Sequence, residues 1–228
     1  MKYLVQPLAI AVTIATATAA ERPYLAPVDG DLSVLSVAPG LQAYHVAARE
    51  ALVVSGGKRA WEAIVFPSFQ REWAVYVENA GSSGNQRVVC TRMQTQLWYQ
   101  MESVAERGTA SPYAERQLAA LQKADKRVQR STAPISASTA AMLERLWSAL
   151  LSQARLPAEP PRCMDGVSYI LFELTEGIRS RGGWGRCPQE GTAPAAGLEI
   201  LEELCSAIST PETGALTAKI TQLQRSLQ

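Results

Sequence analysis

The segment VSYILFELTEGIRSRGGWGR, residues 167–186, is the clearest β-hairpin in this sequence. The run VSYILFELT predicts one strand, and IRSRGGWGR predicts the strand that returns. Between them, Glu176-Gly177 is a two-residue turn signal. Because a two-residue turn fixes the register of the strands it joins, we expect Tyr169 to lie directly opposite Trp184.

The same register predicts a partner-binding surface on this hairpin. Arg179 would oppose Leu174 and Arg181 would oppose Phe172, so both arginines would rest on apolar side chains of one face. A guanidinium group in such a place is weakly hydrated and is pre-organised to bind a carboxylate or a phosphate. The candidate binding residues are therefore Tyr169, Arg179, Arg181 and Trp184.

A purely structural interpretation of the hairpin also fits the sequence. Glu173 lies close enough in this register to pair with either arginine, and a surface ion pair of this kind contributes little. Trp184 would then belong to the core, and the glycines beside it would permit a bulge or a twist. In the binding interpretation, the same glycines let a partner backbone approach closely.

Outside the hairpin, the pattern mixes antiparallel strands with amphipathic helices. Strands do not alternate with helices through glycine-rich phosphate loops, which argues against a doubly wound fold. We predict an α+β fold in which an antiparallel sheet of hairpins packs against several helices, stapled by up to two disulfides. The other predicted strands are 61–67, 72–78 and 87–93. Six helices are predicted, and three of them are 41–54, 95–106 and 215–227. A fourth begins at Ser111-Pro112 and ends in the basic tail 123–130. A fifth is 138–154, capped by Ser138, and the sixth runs from Gly191 or Thr192 to Thr210.

Residues 1–19 have the layout of a secretory signal peptide. Lys2 precedes an apolar run, and Ala17-Thr18-Ala19 supplies the small residues of a cleavage site. The alternative is a membrane anchor, but the run turns Thr-rich and small after about a dozen residues, whereas a spanning helix needs about 20. We expect cleavage after Ala19, or after Ala20, and no membrane insertion thereafter.

The mature chain is expected to be periplasmic or secreted. Residues 20–40 would form an extended arm and residues 41–228 a single α+β domain, with two lobes meeting near 131–137 as an alternative. In an oxidising compartment, four cysteines are consistent with two disulfides, for which three pairings exist. The pairing we favour is Cys163–Cys187 together with Cys90–Cys205.

The charge balance limits the possible functions. The chain has 22 Lys and Arg against 21 Asp and Glu, which argues against a dedicated nucleic-acid-binding protein. The basic run 123–130 lacks interleaved aromatic residues, so it is interpreted as a solvated helix end. We expect neither a cofactor nor a metal site, and a single histidine, His45, excludes a multi-histidine site.

The leading hypothesis is a non-enzymatic interaction module: an inhibitor, an immunity-type protein or an envelope binding protein. Its partner would be a protein or an anionic envelope component. The alternative is a hydrolase of an envelope polymer or peptide, with His45, Asp165 and Glu173 as candidates, although no nucleophile motif accompanies them. A small-ligand carrier is a third possibility. The sequence does not determine the oligomeric state.

Overall fold

A computed structural model describes residues 25–28, 39–53, 58–80, 85–107, 112–155, 165–175, 178–208 and 214–228. These residues form seven strands and six helices. In chain order they are β1 Ala26–Val28, α1 Pro39–Leu52, β2 Arg59–Pro67, β3 Trp73–Ala80, β4 Asn85–Met93, α2 Leu97–Arg107, α3 Tyr113–Lys123, β5 Val128–Ile135, α4 Ala137–Ser152, β6 Val167–Thr175, β7 Ile178–Arg186, α5 Ala193–Ala207 and α6 Gly214–Ser226.

The strands join in one antiparallel sheet, in the order β1-β7-β6-β2-β3-β4-β5. The sheet has a helical layer on each side. Helices α4, α5 and α6 pack on the first side, called face A. Helices α1, α2 and α3 pack on the other, called face B. The predicted α+β class, with an antiparallel sheet packed against several helices, is confirmed.

Strand β2 shows why its sequence is almost continuously apolar. Trp61 and Val65 point into the core of face A, while Ile64 and Phe66 point into the core of face B. Because successive side chains of a strand point to opposite faces, a strand covered on both sides buries both of its rows of side chains, and Glu62 is the polar exception in the middle of β2. The Trp61 ring meets Trp147 of α4 edge-on at 5.6 Å.

The prediction for residues 123–130 was wrong. Helix α3 ends at Lys123, and residues 128–135 form β5 at the edge of the sheet. An edge strand pairs on one side only, and most of β5 is exposed or half-buried, so its sequence VQRSTAPI has no apolar run. The cap of α4 is Ser136 rather than Ser138, since the Ser136 side chain accepts a hydrogen bond from the Thr139 N–H.

The predicted register of the β6–β7 hairpin was also wrong beyond its first two pairs. Leu174 does oppose Arg179, but a bulge follows and shifts every later pair by one residue. Tyr169 consequently lies opposite Gly185, and Phe172 lies opposite Gly182.

The cause of this shift is steric. A Cβ atom at Gly182 or at Gly185 would come within 2.6 Å of the ring of its partner, Phe172 or Tyr169. The observed register places each ring over a residue without a side chain, and such aromatic–glycine pairs pin strand register.

A disulfide joins Cys90 of β4 to Cys205 of α5, with a Cα–Cα distance of 5.3 Å. This half of the predicted pairing is confirmed, and the bridge ties the helical layer of face A to the sheet. Cys187 is also disulfide-bonded. Cys163 lies outside the described residues, so the Cys163–Cys187 pairing stays a prediction.

The predicted leader, residues 1–19, lies outside the described residues. Part of the expected extended arm is described, and there Ala26–Val28 forms β1 against β7. In the described part of the chain, no helix is both long enough and apolar enough to cross a membrane. The Cys90–Cys205 bridge indicates an oxidising compartment.

Candidate functional site

The four candidate binding residues of the hairpin do not share a surface. Tyr169 points into face A, where it is fully buried and donates a hydrogen bond to the backbone carbonyl of Pro194 at 2.9 Å. Its burial raises the pKa of the phenol well above its usual range. Arg181 belongs to the same side, because its guanidinium donates to Glu173 and to Ser148 of α4, each at 2.8 Å.

Arg179 and Trp184 lie on the other side of the sheet. The Arg179 guanidinium stacks 5.0 Å from the centre of the Phe172 ring, the residue that the predicted register had assigned to Arg181, and Phe172 belongs to the core of face B. Trp184 is half-buried against the same core. The predicted register placed Arg179 and Arg181 on one face and the pair Tyr169 and Trp184 on the other. The bulge separates the two arginines, and Tyr169 and Trp184 make no cross-strand pair.

The candidates for hydrolysis are separated as well. His45 of α1 is buried in face B, where its ring meets Phe66 at 4.8 Å, and burial lowers its pKa to about 4. Glu173 is engaged with Arg181 on face A. Asp165 precedes β6 and is exposed, whereas Glu173 lies near the far end of that strand. His45 and Glu173 thus have the sheet between them.

Sequence reasoning missed two fully buried carboxylates. One is Glu72, which accepts hydrogen bonds from the backbone N–H groups of Leu97 and Trp98, both at 2.9 Å, and from the Tyr44 hydroxyl at 2.8 Å. The first two donors open α2, so Glu72 caps that helix from another segment of the chain. Burial raises the pKa of the Tyr44 phenol well above its usual value, and the neighbouring Glu72 carboxylate raises it further.

The other buried carboxylate is Glu62 of β2. Arg49 of α1 donates to it at 2.9 Å, and an Arg59 nitrogen lies 3.8 Å from its second oxygen. The sequence does contain a sign of both buried carboxylates, because each is a glutamate in or beside an apolar strand. Glu62 lies in WEAIVFP and Glu72 begins EWAVYVE. Among the described residues, no group of three or more His, Cys, Asp or Glu is placed to hold a metal ion.

A more promising site lies at one end of the sheet, around Phe69 in the turn between β2 and β3. The Phe69 side chain is 76% exposed, although the turn itself is held firmly. Ser68 exchanges three hydrogen bonds of 2.8–3.0 Å with Gly166, through its backbone N–H and its hydroxyl. On the other side, the Gln96 amide donates to the Ser68 carbonyl at 2.8 Å. An exposed aromatic ring is thus presented by a rigid turn.

A groove of about 520 Å³ runs from Phe69 to the connection between β4 and α2. We call it the Phe69 groove. Within the described part of the chain, four of its polar side chains make no hydrogen bond and no ion pair: Gln70, Arg71, Arg92 and Gln94. The residues that line it are Phe69, Gln70, Arg71, Arg92, Gln94, Thr95 and Gln96.

The Phe69 groove carries a local positive charge. Glu72 is the only carboxylate in segments 67–73 and 91–97, and its oxygens point inward to the start of α2. Asp125 stands nearby, since its carbonyl accepts a hydrogen bond from Thr95, but its side chain pairs with Arg127. Hydrogen bonds from Arg127 lower the pKa of Asp125 to about 2, so this pair adds no net charge near the groove. Asp165 also stands near the turn, since Gly166 is hydrogen-bonded to Ser68, but it does not line the groove. Among the described residues that line the groove, Arg71 and Arg92 are the charged ones.

Sequence reasoning missed this groove because Phe69 lies in a polar turn, and nothing in PSFQRE specifies whether a lone aromatic is buried. Arg92 lies in β4 between two buried residues, Thr91 and Met93. Only the tertiary structure brings Arg92 beside the turn that carries Phe69. Comparisons of the chain with protein-family models, curated proteins and solved structures found no match. The groove is therefore interpreted from its own chemistry.

Proposed function

We propose that this protein is a non-enzymatic binding protein that docks an anionic partner in the Phe69 groove. The observation that supports this proposal is a highly exposed ring on a rigid turn, flanked by two arginines without carboxylate partners. Arginine binds carboxylates and phosphates through two parallel hydrogen bonds. A site that is already ordered loses little conformational entropy when a partner binds.

We also propose that the protein works outside the cytoplasm, in the periplasm or after secretion. The leader pattern at residues 1–19 and the Cys90–Cys205 bridge support this location. N-terminal sequencing of the exported protein tests the leader, and we expect the mature chain to begin at Ala20 or Glu21. A mature protein that retains Met1 in the membrane fraction contradicts export by cleavage.

The hydrolase alternative has less support. Its candidates His45 and Glu173 lie on opposite faces of the sheet, and the carboxylate of Glu173 is engaged with Arg181. A general base must come within hydrogen-bond reach of the group from which it takes a proton. No second function is favoured by a specific observation.

Affinity retention tests the binding function. The immobilised mature protein is exposed to an envelope extract of its source cells, and the retained material is analysed for protein, saccharide and phosphate. We expect anionic material to be retained, and to be lost in the variant Phe69→Ala, Arg71→Gln, Arg92→Gln. Equal retention by this variant would exclude the Phe69 groove as the site.

The matched control is Arg145→Gln with Arg225→Gln. Both residues are exposed, neither has an ion pair within the described residues, and neither lines the groove. This control removes the same two charges as the groove variant. Material lost equally in both variants is held by net charge alone, which contradicts a specific site.

A further inference from the structure

We infer that the occupant of the Phe69 groove is an acidic saccharide, meaning a sugar chain that carries carboxylate groups. This inference rests on the proposed binding function and names the ligand class of the same site. Three observations favour a saccharide: the chemistry of the unpartnered side chains, the mainly polar lining around the ring, and the open form of the site.

The unpartnered side chains match the groups of such a ligand. Arg71 and Arg92 present guanidinium donors for carboxylates. Gln70 and Gln94 present amides, which donate and accept hydrogen bonds and so suit hydroxyl groups. The exposed Phe69 ring offers an apolar face on which the C–H side of a sugar ring can stack. Donors for an acid, amides for hydroxyls and a flat apolar surface occur in one groove.

The surroundings of Phe69 argue against a protein as the occupant. The centre of a protein interface is a cluster of apolar and aromatic anchors, surrounded by a polar rim. Phe69 is the only large apolar side chain that lines the groove. The other large apolar residues exposed in the described part of the chain do not line the groove, although Tyr99 lies three residues beyond Gln96 in α2; they are Val46, Tyr99, Val104, Tyr113, Leu118 and Ile178.

The shape of the site agrees with an extended polar ligand. The groove is open to solvent along its length and has a volume of about 520 Å³, so a bound chain would stay partly exposed. The groove is formed by a turn and a strand–helix connection that are tied together through Gln96, so its two walls are held relative to each other. A chain of sugar rings would lie along this groove with its acid groups beside Arg71 and Arg92.

Isothermal titration calorimetry of the mature protein tests this inference with three probes of similar length. The first is trigalacturonate, an acidic trisaccharide. The second is maltotriose, a neutral trisaccharide. The third is tri-glutamate, an acidic peptide without sugar rings. We expect measurable binding of trigalacturonate alone, and weaker binding as salt is raised from 50 to 500 mM, since ions screen surface charges.

The variants separate the contributions of the ring and the charges. We expect Phe69→Ala alone, and Arg71→Gln with Arg92→Gln, each to weaken trigalacturonate binding about tenfold or more. The control Arg145→Gln with Arg225→Gln should leave the affinity within about twofold. Circular dichroism confirms that each variant is folded, and all of the changed side chains are exposed.

Three outcomes overturn the inference. Equal binding of tri-glutamate and trigalacturonate makes the site a general acid-binding surface and favours an acidic protein. If maltotriose binds as strongly as trigalacturonate, the arginines contribute nothing to the affinity and the ligand need not be acidic. If no probe binds while the groove still retains envelope protein in the affinity experiment, the saccharide assignment fails and the binding function stands.

Discussion

Tyr169 of β6 and Gly185 of β7 face each other across the hairpin, and a Cβ atom at position 185 would stand 2.6 Å from the Tyr169 ring. The ring is fully buried, and its hydroxyl is held by the Pro194 carbonyl in the segment that opens α5. The hairpin, the sheet and the helical layer of face A are therefore fixed together at this pair. The relationship accounts for the bulged register and leads to the first prediction.

Replacement of Gly185 by alanine should destabilise the protein. The added methyl group must displace a buried ring, and overpacking of this kind costs about 1–3 kcal/mol. Urea denaturation followed by circular dichroism measures the change. The control is Gly214→Ala, where a Cβ atom meets nothing within 4 Å, and its effect should be small. Equal stability of the two variants would show that the ring moves freely and does not set the register.

Removal of the Cys90–Cys205 bridge should lower the free energy of unfolding. The bridge spans 115 residues, and disulfides that close long loops contribute about 2–5 kcal/mol, chiefly by restricting the unfolded chain. The variant Cys90→Ala with Cys205→Ala is compared with the parent protein by thermal denaturation. Dithiothreitol should lower the melting temperature of the parent at least to that of the variant. A parent unaffected by reduction would indicate that the bridge contributes nothing to stability.

Burial of His45 should make the protein less stable in mild acid. The folded-state pKa is about 4, below the usual 6.5, so between these values the unfolded chain binds a proton that the folded chain does not. The contribution of His45 to stability is therefore present above pH 6.5 and lost as the pH falls toward 4, by about 3 kcal/mol. We expect His45→Phe to lose less stability than the parent between pH 7 and pH 4 in urea titrations. Parallel curves for the two proteins would contradict a neutral, buried imidazole.

Glu72→Ala should destabilise α2 and the turn that leads into β3. The substitution leaves the backbone N–H groups of Leu97 and Trp98 and the Tyr44 hydroxyl without their acceptor, at a cost of about 1–3 kcal/mol for each buried group left unpaired. Tyr44→Phe removes only one of these bonds and should cost about 1 kcal/mol. Hydrogen exchange of the Leu97 amide gives a local readout, and protection retained in Glu72→Ala would argue against the cap.

The Phe69 groove depends on the same cap for its position. Glu72 fixes the start of α2 relative to β3, and both walls of the groove lie beside this contact. Glu72→Ala should consequently weaken trigalacturonate binding, even though its carboxylate points away from the groove. Unchanged binding in a folded variant would show that Gln96 alone is sufficient to hold the two walls.

The sequence determined most of the local structure of this protein. Period-2 and period-3.6 patterns predicted five of the seven strands or parts of them, as well as the helices, because apolar faces that must be buried leave a direct trace in the chain. The segment of β1 was expected only as part of an extended arm. The expected export and the even number of cysteines predicted disulfides but left three pairings possible, and the favoured Cys90–Cys205 bridge is the one observed. Strand β5 was missed, because an exposed edge strand needs few apolar residues. The bulge was missed because the turn signal alone cannot show where a buried ring meets a glycine.

What only the tertiary structure decided is which side chains share a surface. One bulged residue after Leu174 placed Arg179 and Arg181 on opposite faces of the sheet, since successive residues of a strand point in opposite directions. The neighbours of Phe69 are likewise set by packing, because Arg92 is 23 positions further along the chain and reaches the groove only through the pairing of β3 with β4. Local pattern specifies the elements, whereas register and long-range contacts specify the site.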